Sequence, residues 1–251
     1  MKRLFPAAAA VMAVCALSGC SAQLPEGYRQ FTEARESYEK LDSARVTMTD
    51  LDTGEQVMEF GFYFTGNDEM VFSYYGSWGG EIQQAYSDGA EFFYKDSGDE
   101  KWSVISSGDD SYIYNIYNRK YRYPYAEGRM FFLAAEAVGS AEVISSEDGG
   151  TQITYVYDTE KLNQQSMPGV EEQVADFSAL TTVMKIGADG IVDSFTEMGT
   201  VTTVSGETVT LNMEITVSSV NEVFEIPYPV DEIFRPGEKP AQTAEADSTQ
   251  Q

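Results

Sequence analysis

The chain predicts a mainly β (α+β) domain: a curved antiparallel sheet of about eleven strands forming an open half-barrel, with an N-terminal helix and a short helical insert as its lid. Three observations carry this reading. Runs of alternating apolar and polar residues recur along most of the chain, separated by short turns rich in Gly, Asp, Asn and Ser. An apolar stripe of helical period precedes the first of them. Midway, the alternation stops for a Tyr-rich stretch and an apolar segment, then resumes.

The chain opens with Lys2 and Arg3, followed by an apolar, Ala-rich run over residues 4–17. That run has the length of a signal-peptide core and is too short to serve as a final membrane span. Leu17-Ser18-Gly19-Cys20 follows it. These four residues resemble the bacterial lipobox: an apolar residue, two small residues and a Cys. The resemblance implies cleavage before Cys20 and a diacylglyceryl group on its thiol, with acyl chains such as palmitate holding the protein to the membrane. The organisation read from the sequence is therefore a lipoprotein signal peptide (1–19), a lipidated Cys with its tether (20–27), a single half-barrel domain (28–234) and a disordered tail (235–251). The expected location is extracytoplasmic, lipid-anchored to the bacterial cell membrane. Residues 21–27 reach roughly 23 Å when extended at about 3.3 Å per residue, which keeps the domain close to the bilayer. The tail lacks large apolar residues and has little to bury.

Within the domain, Tyr28, Phe31, Ala34, Tyr38 and Leu41 recur at steps of three and four and predict the first helix. Strands follow over 44–50, 55–65, 69–75, 81–87, 90–95 and 101–105, with Asp88-Gly89 marking a hairpin. Residues 111–125 are Tyr-rich. Residues 129–138, RMFFLAAEAV, read as a short apolar helix stopped by Gly139. Strands resume over 140–147 and 151–157, residues 158–165 suit a helical turn, and 166–176 read as an exposed loop. Three long strands, 178–186, 190–204 and 207–220, complete the set. Tight turns impose antiparallel neighbours, and a sheet this long must curl to hide its apolar face.

Composition narrows the function classes. The formal net charge is −25, and removal of Lys2 and Arg3 with the signal makes it more negative still. Nucleic acid is excluded as a partner, since phosphates require a basic surface, and so is charge-driven adhesion to anionic lipid. The chain has no His and two Cys, Cys15 and Cys20. One leaves with the signal and the other is blocked by lipid, so the mature domain has no disulfide and no thiol nucleophile. No catalytic residue, metal ligand or cofactor is therefore assigned, and the protein is expected not to be an enzyme. Ser37-Tyr38-Glu39-Lys40 matches a Ser-x-x-Lys motif, but its companion motifs are absent and the helix stripe accounts for the segment. Asp50-Leu51-Asp52-Thr53-Gly54-Glu55 faintly suggests a calcium loop, but Gly54, Glu55 and Gly61 stand where its third oxygen ligand, its Gly and its closing Glu are needed, so it reads as a β-turn.

Met58, Phe60, Phe62, Phe64, Phe72 and Phe92 form an apolar stripe that is either filled core or the wall of a ligand cavity. Tyr112, Tyr114, Tyr117 and Tyr121 are candidates for a cavity rim or a partner patch, because Tyr joins an apolar body to a polar tip.

The stripe over 28–41, the strand that follows it at 45–49, the segment at 129–138 and the long closing strands over 178–220 together resemble the LolA-like fold. That fold is shared by the carriers LolA and LolB, the LppX/LprG group of envelope lipoproteins and the N-terminal domain of RseB. The resemblance lies in architecture. It implies a half-barrel cavity holding acyl chains or another apolar ligand. The alternative on the same fold is a protein-interaction or regulatory module of the cell envelope, as in RseB, with an envelope protein as partner. A permanent anchor fits the lipoprotein members better than a diffusing carrier.

The anchor is directly testable. Cys20→Ala should leave an uncleaved precursor without acyl mass; identical membrane fractionation of parent and variant, with no acyl mass on the parent, would remove the anchor.

Overall fold

In the computed structural model, residues 24–65, 69–78, 80–108, 111–122, 124–125, 130–165, 174–228 and 233–234 are described. The signal segment, Cys20 and residues 235–251 lie outside them, as do Tyr123 and most of the 166–176 loop.

The alternating runs become β1 (Ser43–Asp50), β2 (Glu55–Phe64), β3 (Met70–Trp78), β4 (Glu81–Ser87), β5 (Glu91–Asp96), β6 (Trp102–Ser106), β7 (Val138–Ser145), β8 (Thr151–Tyr157), β9 (Val174–Ile186), β10 (Val192–Thr203) and β11 (Thr208–Ser218). A short β12 (Ile233–Phe234) follows. The helices are α1 (Tyr28–Tyr38), α2 (Ser111–Tyr121) and the single turn α3 (Thr159–Leu162). All strands join one open sheet in the order β12-β6-β5-β4-β3-β2-β1-β11-β10-β9-β8-β7. Two antiparallel meanders, β1–β6 and β7–β11, are thus joined at the centre by β1 against β11, while β12 lies parallel to β6 at the edge.

Register turns the period-two pattern into rows across the inner face. Ala44 faces Phe62, which faces Phe72. Ser87 pairs with Phe72 on one side and Phe92 on the other. A second row runs Met58, Met48, Ile215, Phe195, Met184, Ile153. A third runs Met213, Glu197, Thr182, Tyr155.

Helix α1 buries Phe31, Ala34 and Tyr38 on this face. Phe31 meets Tyr155 of β8 and Phe195 of β10, whereas Tyr38 meets Phe62 of β2. In a flat sheet β2 and β8 would stand about 24 Å apart at about 4.8 Å per strand. Phe31 and Tyr38 are separated by only about 10 Å along the helix axis. The sheet therefore curls around α1, giving the open, curved antiparallel architecture expected from the sequence.

The lid helix is not where the sequence pattern placed it. Of the helix expected over 129–138, the described residues 130–138 do not form an α-helix: Met130, Phe131, Phe132, Leu133 and Ala134 are all buried in irregular backbone, a 3-10 turn spans Ala135–Ala137, and β7 begins at Val138. A consecutive run of buried residues cannot occupy one face of a half-exposed helix. It wedges instead between α1 and the sheet, Phe131 against Tyr38 (5.2 Å) and Phe195 (5.7 Å), Phe132 against Tyr157 (5.6 Å). Gly139 is no helix stop; it sits at a register shift in β7. The inserted helix is α2, formed by the Tyr-rich stretch. Part of the expected 166–176 loop is also strand, since β9 begins at Val174.

A smaller cluster occupies the outer face. Val71, Tyr86, Phe93 and Val104 are covered by Ile226, with Phe224, Tyr63 and Trp102 alongside. Residues 222–228 thus cross the outside of the β1–β6 half before β12 joins β6.

Gly27, just before α1, has φ +75°, and a Cβ there would stand 2.9 Å from Val143 Cγ2 and 3.0 Å from Ile153 Cγ2. Strained backbone and overpacking act together. Gly27→Ala should lower unfolding free energy by about 1–3 kcal/mol, read from urea denaturation; an unchanged midpoint would contradict this packing.

Candidate functional site

The six apolar candidates meet on the inner face. Met58, Phe60, Phe62, Phe72 and Phe92 are fully buried, and Phe64 is half-buried at the end of β2. Phe60 lies 5.6 Å from both Phe62 and Phe72, and Phe72 lies 6.3 Å from Phe92. Phe62 and Phe64 also pack on Tyr125, at 4.9 and 5.4 Å. Together they form a continuous aromatic floor across β2–β5.

Helix α2 roofs this floor. Its stripe is Tyr114, Tyr117 and Tyr121, at helical spacing. Tyr121 packs on Tyr74 (5.5 Å) and Phe92 (5.6 Å), and Tyr117 on Tyr94 (4.8 Å) and Phe92 (6.0 Å). Tyr114 and Tyr121 are buried, Tyr117 is half-buried, and Tyr112 points outward with 72% of its surface exposed. The Tyr candidates therefore divide between roof and outer surface.

Side-chain hydrogen bonds hold the helix at both ends. The Tyr114 hydroxyl donates to the Gly89 carbonyl (2.9 Å) and lies 3.4 Å from Ser87 Oγ; Asn118 Nδ2 donates to Ser87 Oγ (3.3 Å). At the other end the Tyr121 hydroxyl donates to Asp96 Oδ1 at 3.2 Å. Burial, with the Asp96 carboxylate beside it, pushes the Tyr121 phenol upward, so it remains a donor. Beyond the helix, the Tyr125 hydroxyl donates to the Glu39 carbonyl (2.5 Å) and that of Tyr38 to the Pro124 carbonyl (2.6 Å). Burial raises the Tyr38 phenol well above its ordinary range.

Two clefts lie on the outer face. One of about 790 Å³ runs beside residues 221–228 and is lined by Tyr63, Phe64 and Phe224 but also by Asp42, Glu222 and Glu225. Another of about 330 Å³ lies between Ser73, Tyr75, Tyr86, Trp102 and Tyr228. Both open to solvent, and the acidic rim of the larger suits hydrocarbon less well than the inner floor does.

Sequence reasoning missed Glu197. It lies on β10 two residues beyond Phe195, so period two places it on the inner face; that alternation was the available signal. It is 5% exposed, and its Oε1 has no hydrogen-bond partner. Burial alone pushes its carboxyl up to about 8. Thr182, its cross-strand partner, is also buried, and the Tyr157 hydroxyl stands 3.5 Å from both Thr182 Oγ1 and the Phe132 carbonyl.

The remaining motifs have local roles. Ser37 Oγ donates to the Glu33 carbonyl within α1 (2.9 Å). Asp50 Oδ1 accepts the Asp52 and Thr53 amides (2.8 and 3.4 Å), which makes the 50–55 segment a capped turn. Among the described residues no group of three or more acids could hold a metal ion.

Glu197 makes stability pH-dependent with a definite sign. Its carboxyl titrates near its ordinary 4.5 when unfolded and at about 8 when folded. Between these values the unfolded chain releases a proton that the folded chain keeps, so stability falls as pH rises. Glu197→Gln should therefore gain thermal stability relative to the parent as pH is raised from about 4.5 to 8, with little difference at the acid end. Parallel melting-temperature profiles would show that Glu197 titrates normally.

No family model matches the chain, and no curated protein matches it. Among solved structures it is similar to LprF from Mycobacterium bovis, at 12% identity and a TM-score of 0.44, over 82% of this chain and 99% of that one.

Proposed function

We propose that this is a non-enzymatic, lipid-anchored extracytoplasmic protein that takes up an apolar, lipid-like ligand on the inner face of its half-barrel, beneath α2. The observation that carries the reading is the construction of that face. A floor of Met58, Phe60, Phe62, Phe72 and Phe92 is roofed by a helix fastened through side-chain hydrogen bonds to the 87–89 turn and to Asp96. Such a cover can lift with far less loss than a strand, because it forms no backbone ladder with the sheet. The floor then offers polarizable, flat or flexible surfaces that accommodate acyl chains of varied shape. The lipobox supplies the location, and the acidic surface keeps the domain off the anionic headgroups beneath it.

A second reading makes α2 a docking surface for an envelope protein. The observation favouring it is the outward pair Tyr112 and Ile116, 72% and 45% exposed, one helical turn apart.

The lid reading is tested with a fluorescent fatty-acyl probe and the protein lacking its first twenty residues, none of which belongs to the described fold. Tyr114→Phe combined with Asn118→Ala removes the hydrogen bonds to Gly89 and Ser87, each worth about 0.5–1.5 kcal/mol. Probe uptake should accelerate roughly tenfold for each 1.4 kcal/mol removed from lid closure. Binding with equal rates in parent and variant would reject α2 as the lid; no binding by the parent would reject the carrier function.

A further inference from the structure

The aromatic floor does not end at α1. The register carries it along Met58, Met48 and Ile215 to Phe195, all buried, across three strand spacings or about 15 Å. Next to Phe195 on the same face of β10 the apolar surface is interrupted by Glu197, with Thr182 beside it and Tyr157 one strand further. Met213 on β11 and Phe132 from the wedge complete the apolar surround. This is an unusual place for a carboxyl. A buried polar atom without a partner gives up its hydrogen bonds to water and gains none in return, whereas an apolar side chain at 197 would continue the floor without that loss. Nor is the arrangement closed on itself. The Tyr157 hydroxyl also accepts the Ala134 amide and lies 3.5 Å from Thr182 Oγ1 and the Phe132 carbonyl, whereas Glu197 Oε1 reaches nothing.

We propose that Glu197, Thr182 and Tyr157 form the seat for an uncharged polar head, a hydroxyl or an ester carbonyl, on the acyl ligand whose chain lies along the floor. This inference rests on the apolar-ligand reading above and adds the chemistry of the head group. A protonated carboxyl donates one hydrogen bond and accepts another, and the two hydroxyls do the same. A hydroxyl or ester placed among them finds both. An anionic head does not: β8, β10 and β11 contain no Lys or Arg, and Lys185 of β9 lies exposed. The strands around the seat thus offer a phosphate no counter-charge.

The experiment uses the protein without its first twenty residues and three pyrene-labelled probes sharing one alkyl chain: the plain hydrocarbon, the alcohol and the phosphate monoester. The parent should bind the alcohol at least tenfold more tightly than the phosphate. Glu197→Leu should keep hydrocarbon binding and lose that preference, while Glu197→Gln, which still donates and accepts, should retain it. A preference unchanged in Glu197→Leu, or a parent that binds hydrocarbon and alcohol alike, overturns the head-group seat and leaves the carrier reading standing. No binding of any probe overturns both. If Glu197→Leu does not fold, infrared difference spectroscopy of the parent against Glu197→Gln replaces it. The carboxyl stretch of protonated Glu197 should shift when the alcohol is added, and a band that does not move overturns the proposal.

Discussion

Tyr38 stands at the point on which the inner half of the molecule converges. Its ring meets Phe62 from the sheet, Tyr125 from the chain leaving α2 and Phe131 from the irregular wedge, and its hydroxyl is satisfied by the Pro124 carbonyl. An open sheet of this size exposes a whole apolar face, and among the described residues no second sheet covers it. α1 answers that constraint by lying diagonally across the face, with Phe31 at the β8–β10 end and Tyr38 at the β2 end. The curl of the sheet, the path of the wedge and the position left for α2 all follow from that placement.

Cover is distributed unequally. Over β8–β11 the wedge of Met130 to Ala134 fills the face with buried rings and methylenes. Over β2–β5 the cover is a separate helix, fastened by hydroxyl and amide groups. Side-chain hydrogen bonds exchange readily with water, whereas interlocked rings in a close-packed interior do not. α2 adds ring contacts of its own, Tyr117 and Tyr121 on Phe92, but its ends are held by polar groups, and the proposed lid rests on that difference. The outer face is handled differently again: residues 222–228 lay Phe224, Ile226 and Tyr228 over Tyr63, Tyr86 and Phe93. Arg45 lies over the Phe224 ring at 4.5 Å, a cation–π contact at the strap's near end.

Polar atoms inside the half-barrel mark its two ends of interest. Ser87, fully buried between Phe72 and Phe92 in the register, is the acceptor that ties down α2. Glu197 is the opposite case, a buried carboxyl that folding leaves unsatisfied and holds in its neutral form. Ser87 has a structural partner, whereas Glu197 Oε1 has none, which is the asymmetry the proposed head-group seat rests on.

The sequence by itself determined the strands and α1. Period two over 55–65 or 208–218 and the stripe from Tyr28 to Leu41 are local patterns, and Asp88-Gly89 specifies its hairpin through backbone conformation alone. It also brought the aromatic candidates to one face, since residues two apart on a strand cannot diverge. Tertiary structure decided the rest. Whether 111–121 or 129–138 is helical depended on which segment had to be buried on all sides, because complete burial rewards irregular packing as much as helix. The strap carries only a few apolar residues without a period, and its role exists only once Tyr86 and Phe93 are side by side. Glu197 lies in phase with Phe195, but its isolation depends on what β9, β11 and the wedge bring opposite it. Solvation is set by neighbours distant in the chain, and no local pattern records them.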